Sequence, residues 1–205
     1  MFREESVWIK ESLAKIRPST GNNKVANLGS SNEELRKVIQ PHIHNNIIQP
    51  LMDTGWDIVH VDFKDDIGVD VVADLTNKDF GNNMKDSFAL TICTNMLEHV
   101  LDIPLVVNNL FKVTAHGGYI LLTVPYKYKI HHDPIDNGFR PNPDEIAALF
   151  NATEVEIVDK KVIVIQEKYY YPVKKSKYPI WGYREIIKYH LGKKHKVSGI
   201  LLKKK

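Results

Sequence analysis

The amino-acid sequence predicts an α/β fold: a doubly wound, mainly parallel sheet with helices on both faces and an antiparallel hairpin at one edge. Strand-like and helix-like patterns alternate through most of the 205 residues, as they do in chains built from strand–helix–strand units. Residues 88–93 are a continuous apolar run, which is typical of a strand buried on both faces of a parallel sheet. Residues 154–158 and 162–167 have strand patterns with no helix between them, which predicts the edge hairpin.

The N-terminal quarter predicts a helix, a short strand and a second helical region. Apolar residues recur at helical spacing in residues 4–16, 32–39 and 42–52. Residues 25–28 form a short apolar run that predicts a strand. Pro18 ends the first pattern, and Pro41 separates the last two helices. The strand runs into Gly29, where the lack of a side chain allows the backbone to approach a ligand closely.

The middle of the chain predicts four strands and a long helix. They lie, in order, at residues 56–63, 69–73 and 88–93 (strands), 97–113 (helix) and 119–124 (strand). The glycine pair Gly117-Gly118 is expected to cap the helix, and Pro125 is expected to stop the strand that follows.

The C-terminal part predicts the elements that complete the sheet. Residues 142–150 form a helix in this interpretation, because Pro143, Asp144 and Glu145 suit a first helical turn. The remaining predicted elements are strands over residues 154–158 and 162–167, a helix over residues 186–191 and a last strand over residues 197–202.

The composition is that of a soluble globular protein. Hydrophobic residues make up 43% of the chain and charged residues 26%, and no apolar run approaches the roughly 20 residues that span a bilayer. The single cysteine, Cys93, excludes an intrachain disulfide and a cysteine-based zinc site. The first residues lack the pattern of a signal peptide, so we expect a cytoplasmic protein.

The charge is unevenly distributed along the chain. The net charge is +3, but residues 160–205 contain 14 lysines and arginines against two glutamates, so the preceding residues sum to −9. One interpretation is a solvated face with a frayed end at residues 203–205. The other is attraction of the basic tail to an anionic substrate, a membrane surface or nucleic acid.

Functional residues are expected at the carboxyl ends of the strands, because ligands of open α/β sheets bind there. These ends carry Asn27-Leu28-Gly29-Ser30, Asp62, Asp74-Leu75, Thr94-Asn95 and Tyr126. A carboxylate after the second strand offers two acceptor oxygens to ribose hydroxyls, and one after the third strand can accept from an adenine amino group. Each aspartate is equally compatible with a simple turn at a strand exit.

Three longer segments carry a resemblance to a known family. Residues 86–100 read Asp-Ser-Phe-Ala-Leu-Thr-Ile-Cys-Thr-Asn-Met-Leu-Glu-His-Val, residues 116–126 read His-Gly-Gly-Tyr-Ile-Leu-Leu-Thr-Val-Pro-Tyr, and residues 131–141 read His-His-Asp-Pro-Ile-Asp-Asn-Gly-Phe-Arg-Pro. They resemble the fourth-strand motif, the glycine pair with the fifth strand, and the His-x-Pro-x-Asp-x-x-Arg loop of class I S-adenosylmethionine-dependent methyltransferases. The chain is most similar to the small type 11 group, and the resemblance covers about residues 24–150.

The resemblance implies a Rossmann-like, seven-stranded sheet in one methyltransferase domain that spans residues 1–205. Residues 1–20 would form an N-terminal helix and residues 24–150 the cofactor-binding core. Residues 151–205, the basic and aromatic-rich part, would complete the sheet and shape the substrate site. The implied cofactor is S-adenosyl-L-methionine, which becomes S-adenosyl-L-homocysteine.

The first half of the implied cofactor site comes from the first two strand ends. The backbone around Asn27, Gly29 and Ser30 would hold the methionine part, and Asp62 would bind the ribose. Family members usually have an acid in place of Asn27 and a second glycine in place of Ser31. Asparagine can accept a hydrogen bond but lacks the charge of the acid, which predicts weaker cofactor binding.

The second half of the implied site comes from the third and fourth strand ends. Asp74 and the Leu75 amide would bind adenine, and Thr94 and Asn95 would line the methionine side near the sulfonium. His99 would face the cofactor end of the site, next to Glu98, which would brace the following helix. Ala89 replaces the usual aspartate before the fourth strand, a position that we interpret as structural.

Candidate catalytic residues follow the fifth strand. A hydroxyl acceptor benefits from a general base, and histidine suits that role near neutral pH. We expect His132 first and His131 second in this role. The alternative is that the loop is held by a clamp in which Arg140 pairs with Asp133 or Asp136. No metal site is predicted, since His42 and His44 would not face the same way on a helix.

These features predict a methyltransferase that acts on a small molecule or on a sugar of a glycan, at oxygen. The alternative is a cofactor-binding protein without catalysis that partners an active subunit, which the residues at positions 27 and 31 motivate. A nicotinamide-dependent dehydrogenase is disfavoured because Gly-x-Gly-x-x-Gly is absent. Nucleic-acid methylation is disfavoured because the motif Asn/Asp-Pro-Pro-Tyr is absent. The tyrosines of the C-terminal part either cover the substrate or pack in the core.

Overall fold

A seven-stranded sheet forms the centre of the molecule in the computed structural model, which describes residues 1–17, 21–131, 135–166 and 194–205. The strand order is β3-β2-β1-β4-β5-β7-β6, and β7 runs antiparallel to both of its neighbours while β1 to β5 are parallel. The strands are β1 (Lys24–Leu28), β2 (Asp57–Asp62), β3 (Val71–Val72), β4 (Phe88–Thr94), β5 (Thr114–Lys127), β6 (Val155–Val164) and β7 (Lys196–Lys204). The predicted seven-stranded, mainly parallel sheet is confirmed.

Helices cover both faces of this sheet. The α-helices are α1 (Arg3–Leu13), α2 (Pro41–Ile43), α3 (Gln49–Asp53), α4 (Ile103–Val113) and α5 (Pro143–Ala147). π-Helical turns over Leu35–Ile39 and His44–Ile48 join α2 and α3 into the helical region that the sequence predicted before β2. Short 3₁₀ turns lie at Asn82–Met84 and Leu97–His99. Within the described residues, no helix has the length and apolarity needed to cross a membrane.

Two apolar layers, one on each face of the sheet, form the core. Along β5, Ile120 and Leu122 pack in the layer that contains α4, whereas Tyr119 and Leu121 pack in the layer that contains α1. This alternation follows from the two-residue period of a strand. The central strands are therefore buried on both sides, as the apolar run in β4 predicted.

The helix predicted over residues 97–113 begins later than expected. Leu97–His99 is a 3₁₀ turn, and α4 begins after Asp102, whose carboxylate accepts a hydrogen bond from the Leu105 amide at 3.0 Å. This N-cap and the proline in the first turn define the start of α4. The predicted glycine cap is wrong: α4 ends at Val113, and Gly117 and Gly118 lie within β5.

The antiparallel edge pair is confirmed, but its members differ from the prediction. Residues 154–158 and 162–167 were predicted as two strands, but the structure has one strand there, β6, which runs from Val155 to Val164 with a register irregularity between Ile157 and Asp159. The antiparallel partner of β6 is β7. The predicted helix over residues 186–191 and all the tyrosines of the C-terminal part lie outside the described residues.

The predicted frayed end at residues 203–205 is wrong, because β7 extends to Lys204. The Lys204 side chain is buried and donates hydrogen bonds to Oδ1 of Asp86 at 2.7 Å and to the carbonyl oxygens of Phe111 and Thr114 at 2.9 and 2.7 Å. A buried ammonium group needs such partners to offset its lost hydration. This lysine is therefore a structural residue that joins β7 to the end of α4.

Helix α1 is held against the sheet by Trp8. A methyl group built on Gly199 of β7 would lie 2.4 Å from the Trp8 ring, so only glycine leaves room for the indole there. Apolar neighbours of Trp8 in this layer include Ile9 and Leu201. The packing places the first turn of α1 beside the carboxyl ends of β4 and β5, where the site lies.

Candidate active site

A cavity of about 1550 Å³ opens at the carboxyl ends of the parallel strands. From β1 the chain adds β2 and β3 on one side of the sheet, and it then adds β4 and β5 on the other side of β1. The gap between β1 and β4 is therefore the switch point at which open α/β sheets bind ligands. All nine predicted cofactor-binding residues line the cavity: Asn27, Gly29, Ser30, Asp62, Asp74, Leu75, Thr94, Asn95 and His99. The structure thus brings them together, and their roles toward a cofactor stay predictions.

The loop after β1 turns through two residues with left-handed backbone. Gly29 has φ of +70° and Ser31 has φ of +54°, a region that glycine adopts at lower cost than serine. The amides of Gly29 and Ser30 donate to the carbonyl oxygen of Val61 at 2.9 and 3.1 Å. Ser31 therefore keeps the backbone shape expected of the second glycine of the family.

Arg36, which does not line the cavity, stabilises this loop. Its buried guanidinium donates to the carbonyl oxygens of Ser30 at 3.1 Å, of Gly68 at 2.6 Å and of Ser31. Burial lowers the pKa of Arg36, and the negative charge of Glu33 opposes that shift. Arg36 was not predicted as a functional residue, since a single arginine in a helical stretch gives no sign of facing inward.

Asp62 closes the loop from the end of β2. One carboxylate oxygen accepts from the Ser31 amide at 2.8 Å, and the other accepts from the Lys64 amide at 3.2 Å. Each carboxylate oxygen has two lone pairs, so the group can still accept two further hydrogen bonds from a ligand. Asp62 both shapes the loop and faces the cavity.

Asp74 forms a turn at the exit of β3. Its Oδ1 atom accepts hydrogen bonds from the amide and the hydroxyl of Thr76, at 2.8 and 2.7 Å. The following residue, Leu75, is buried, and its carbonyl oxygen accepts from the side-chain amide of Asn109 at 2.9 Å. The turn-forming interpretation of Asp74 is thus present in the structure, and both residues also line the cavity.

Asn27 pairs with the neighbouring strand. Its side-chain amide nitrogen lies 3.0 Å from Nδ1 of His60 in β2. Burial, with Arg36 nearby, lowers the pKa of His60 to about 4, so its ring is neutral at pH 7 and Nδ1 can accept the hydrogen bond. A carboxylate at position 27 could bond that nitrogen only if the ring carried its proton on Nδ1. Asn27 and His60 therefore form a matched pair.

Asn95 connects the end of β4 to helix α1. Its side-chain amide donates to Oε1 of Glu5 at 2.7 Å, and the Thr123 hydroxyl donates to the same oxygen at 2.6 Å. The other oxygen of the fully buried Glu5 accepts from the Phe2 amide at 3.0 Å. The Asn95 side chain is thus engaged with α1 rather than free near the predicted sulfonium. The sequence analysis did not identify Glu5.

Glu98, His99 and His131 meet at one wall of the cavity. The His99 Nε2 atom lies 3.8 Å from Oε1 of Glu98, and the rings of His99 and His131 are perpendicular with centroids 5.1 Å apart. Burial raises the pKa of Glu98 to about 8, and the nearby charge of Glu5 acts in the same direction. The other predicted catalytic residue, His132, lies outside the described residues.

The loop after β5 contains the predicted arginine–carboxylate clamp. Arg140 donates to Oδ2 of the buried Asp136 at 2.6 Å, and the amides of His131 and Gly138 each donate to the same carboxylate at 2.9 Å. The hydrogen bond from Arg140 holds the pKa of Asp136 far below its usual range. Nδ1 of His131 lies 3.1 Å from Asp136 without hydrogen-bond alignment. Asp133, the alternative partner, is outside the described residues.

Comparison with known proteins gives matches among solved structures. No protein-family model and no curated protein matches this chain. The chain superposes on the cyclase SpnF with a TM-score of 0.59 and 12% identity, over 96% of this chain and 80% of SpnF. It superposes on coclaurine N-methyltransferase bound to N-methylheliamine and S-adenosylhomocysteine with a TM-score of 0.59 and 13% identity, over 98% of this chain and 70% of that one.

A third similar structure is the Haemonchus contortus phosphoethanolamine N-methyltransferase 2 in complex with phosphomonomethylethanolamine and S-adenosylhomocysteine. The TM-score is 0.59 and the identity 13%, over 96% of this chain but only 52% of that chain, so the present chain spans about half of the Haemonchus enzyme. At these identities the likeness establishes the fold, and the reaction has to be derived from the site. The chain has the fold of the class I S-adenosylmethionine-dependent methyltransferases, as its sequence resemblance implied.

Proposed function

We propose that this protein is a methyltransferase that uses S-adenosyl-L-methionine and acts on a small molecule or a sugar, at oxygen. The observation that carries the proposal is the convergence of all nine predicted cofactor residues on one cavity at the switch point of the sheet. The neighbours with bound S-adenosylhomocysteine support the choice of cofactor.

The size of the cavity supports a second ligand beside the cofactor. Ligand pockets of proteins commonly measure about 300–1,000 Å³, and this cavity measures about 1550 Å³. Beyond His99, its lining includes Leu101, Leu105 and Tyr128, which offer apolar and aromatic surface. An acceptor molecule would contact these residues, and residues 24–150 would hold the cofactor. That residues 151–205 shape the substrate site stays a prediction, since none of their described members lines the cavity.

Methyl transfer requires alignment more than chemical activation, because the sulfonium is a good leaving group. A lone pair of the acceptor oxygen forms a bond to the methyl carbon, and the carbon–sulfur bond breaks with its electron pair on sulfur. The products are S-adenosyl-L-homocysteine and the methylated acceptor. The hydroxyl proton passes to a general base, for which His132 stays our first candidate and His131 our second.

Support for oxygen as the acceptor atom comes from the wall formed by Glu98, His99 and His131. Hydroxyl groups need a proton acceptor or a coordinating cation to become nucleophilic near neutral pH, and this wall supplies groups of that chemistry. The neighbours do not choose the atom, since they include two N-methyltransferases and a cyclase. No contact among the described residues favours the alternative of a cofactor-binding protein without catalysis.

Replacement of Asp62 tests the site. Asp62→Ala should abolish detectable binding of S-adenosyl-L-homocysteine in calorimetry, because it removes both the ribose acceptor and the partner of the Ser31 amide. Asp57→Ala, an exposed carboxylate at the other end of β2, should bind as the unchanged protein does. Equal affinity in both variants would exclude this cofactor site, provided that both melt cooperatively.

Transfer of a labelled methyl group to a pool of hydroxylated small molecules and sugars tests the reaction. We expect label in the acceptor fraction with the unchanged protein and none with Asp62→Ala. Saturable cofactor binding without transfer to any acceptor of the pool would instead favour the non-catalytic alternative.

A further inference from the structure

Three side chains with metal-binding chemistry converge on the cavity from two separate parts of the chain. Glu98 and His99 belong to the 3₁₀ turn after β4, and His131 follows β5. One ligand atom from each of the three lies within 4.8 Å of those of the other two. The 32 residues that separate His99 from His131 explain why the sequence analysis, which expected no metal, did not find this group.

Two buried polar atoms of the group have no hydrogen-bond partner among the described residues. They are Oε2 of Glu98, whose residue is only 1% exposed, and Nδ1 of His131. A buried acceptor without a partner destabilises the folded state, because it has lost its hydrogen bonds to water. Nδ1 of His131 also lies 3.1 Å from Oδ2 of Asp136, so the unpartnered Oε2 atom of Glu98 is the stronger of the two observations. A cation held by the three residues would give the unpartnered oxygen of Glu98 a partner.

The surrounding contacts hold the three residues in place. The His99 Nδ1 atom is hydrogen-bonded to the carbonyl oxygen of Ile135, which leaves Nε2 with its lone pair on the side of Glu98. Asn137 ties the two parts together, since its amide donates to the carbonyl oxygen of Glu98 at 2.9 Å and its side chain donates to that of Leu97 at 2.8 Å. Carbonyl partners of this kind orient histidine ligands in metal sites.

We propose that Glu98, His99 and His131 form a binding site for one divalent transition-metal ion. Two imidazoles and one carboxylate are a donor set that proteins use for Zn²⁺ and Fe²⁺ in sites with an open coordination position. Bond lengths of about 2.0–2.2 Å to each ligand bring the three atoms closer together than they are now, which small side-chain rotations achieve. All three residues line the cavity, so a molecule bound in the cavity could reach the ion.

The metal ion would activate the acceptor in the proposed methyl transfer, so its role in the reaction rests on the proposed function. An acceptor oxygen bound at the open position would lose its proton more readily, because a divalent cation stabilises the anionic oxygen. The substrate class is then a molecule with a hydroxyl that can coordinate a metal. His131 would serve as a ligand, which leaves His132 as the candidate general base.

Titration with Co²⁺ tests the site directly. Untagged full-length protein, first stripped with a chelator, should take up about one equivalent of Co²⁺ with visible absorption bands from histidine and carboxylate ligation. Glu98→Gln and His131→Gln should each weaken binding by at least about ten-fold, the scale seen when groups that merely support a ligand are removed. His116→Gln, an exposed histidine bonded to the Lys205 carbonyl, is the matched control and should leave binding unchanged.

Two outcomes overturn the proposal. One is the absence of saturable uptake of Co²⁺ or Zn²⁺. The other is an affinity in Glu98→Gln and His131→Gln equal to that of the unchanged protein, which would locate the ion elsewhere. If the buried Glu98 variant fails to fold, His131→Gln decides, because that side chain is 32% exposed. Calorimetry with S-adenosyl-L-homocysteine on the stripped protein separates the two hypotheses. Cofactor binding without metal uptake refutes the metal site alone, and metal uptake without cofactor binding refutes the proposed function alone.

Discussion

Two residues that depart from the methyltransferase pattern have local explanations in the structure. Ser31 adopts the left-handed backbone that a glycine would adopt there, and hydrogen bonds from Arg36 and to Asp62 hold it in that conformation. Asn27 replaces the usual acid, and its amide donates to the neutral ring of His60. The departures are therefore compensated by neighbouring side chains, and the loop keeps its shape.

Restoring the acid at position 27 should destabilise this protein. Asn27→Asp places a charged carboxylate at a buried position and requires the His60 ring to move its proton to Nδ1 in order to donate to it, so the free energy of unfolding at pH 8 should fall by about 1–3 kcal/mol. Urea unfolding measures this change. Asn45→Asp, at an exposed position, is the control and should change the unfolding free energy little. A variant at position 27 as stable as its parent would contradict the Asn27–His60 pair.

Helix α1 is the element that most directly links packing to the site. Its Trp8 ring packs over Gly199 in β7, and its Glu5 carboxylate bonds Asn95 and Thr123 at the ends of β4 and β5. The residues just before and within its first turn also line the cavity. Any displacement of α1 from β7 therefore moves a wall of the candidate active site.

A methyl group at position 199 should displace α1. Gly199→Ala places a carbon 2.4 Å from the Trp8 ring, and overpacking of this kind typically costs about 1–3 kcal/mol. We also expect weaker binding of S-adenosyl-L-homocysteine, because Glu5 moves with the helix. Thermal unfolding and calorimetry measure the two effects.

A double-mutant cycle provides the control for this prediction. In a Trp8→Leu background the smaller side chain leaves space, so Gly199→Ala should cost markedly less than it does beside the indole. An equal cost in both backgrounds would show that the loss arises from the backbone of β7 rather than from contact with α1.

At the scale of the whole molecule, the burial of His60 makes the stability of the protein depend on pH. His60 lies among Arg36, Lys37, Asp70 and Glu33, and burial, the largest effect, keeps its ring neutral in the folded protein. In the unfolded chain the ring takes up a proton near pH 6.5. The unfolded state therefore binds more protons than the folded state between about pH 6.5 and pH 4.

The stability of the protein should fall as the pH drops through this window. The contribution from His60 is fully present above about pH 6.5 and is lost toward pH 4, and it amounts to at most about 3 kcal/mol. Urea unfolding at several pH values measures the slope. His60→Gln keeps an acceptor for Asn27 but does not titrate, so its slope between pH 6.5 and 4 should be smaller. An unchanged slope would contradict a buried neutral His60, and the exposed His116→Gln serves as the control.

The sequence by itself determined the sheet, its two apolar faces and the strand ends that line the cavity. These features depend on local signals, namely the spacing of apolar residues and the residues at which strands stop. Elements with weaker local signals were placed less well: the start of α4 depends on the Asp102 cap, and β6 appeared as two strands because polar residues interrupt its apolar pattern.

The tertiary structure alone decided which polar residues are buried and which of them meet. Glu5, Arg36 and Lys204 resemble ordinary surface charges in the sequence, yet each is buried with partners supplied by distant segments. The group of Glu98, His99 and His131 likewise forms only when β4 and β5 lie side by side and the loop after β5 folds back onto the turn after β4. Such contacts join residues far apart in the chain, so no local pattern in the sequence encodes them.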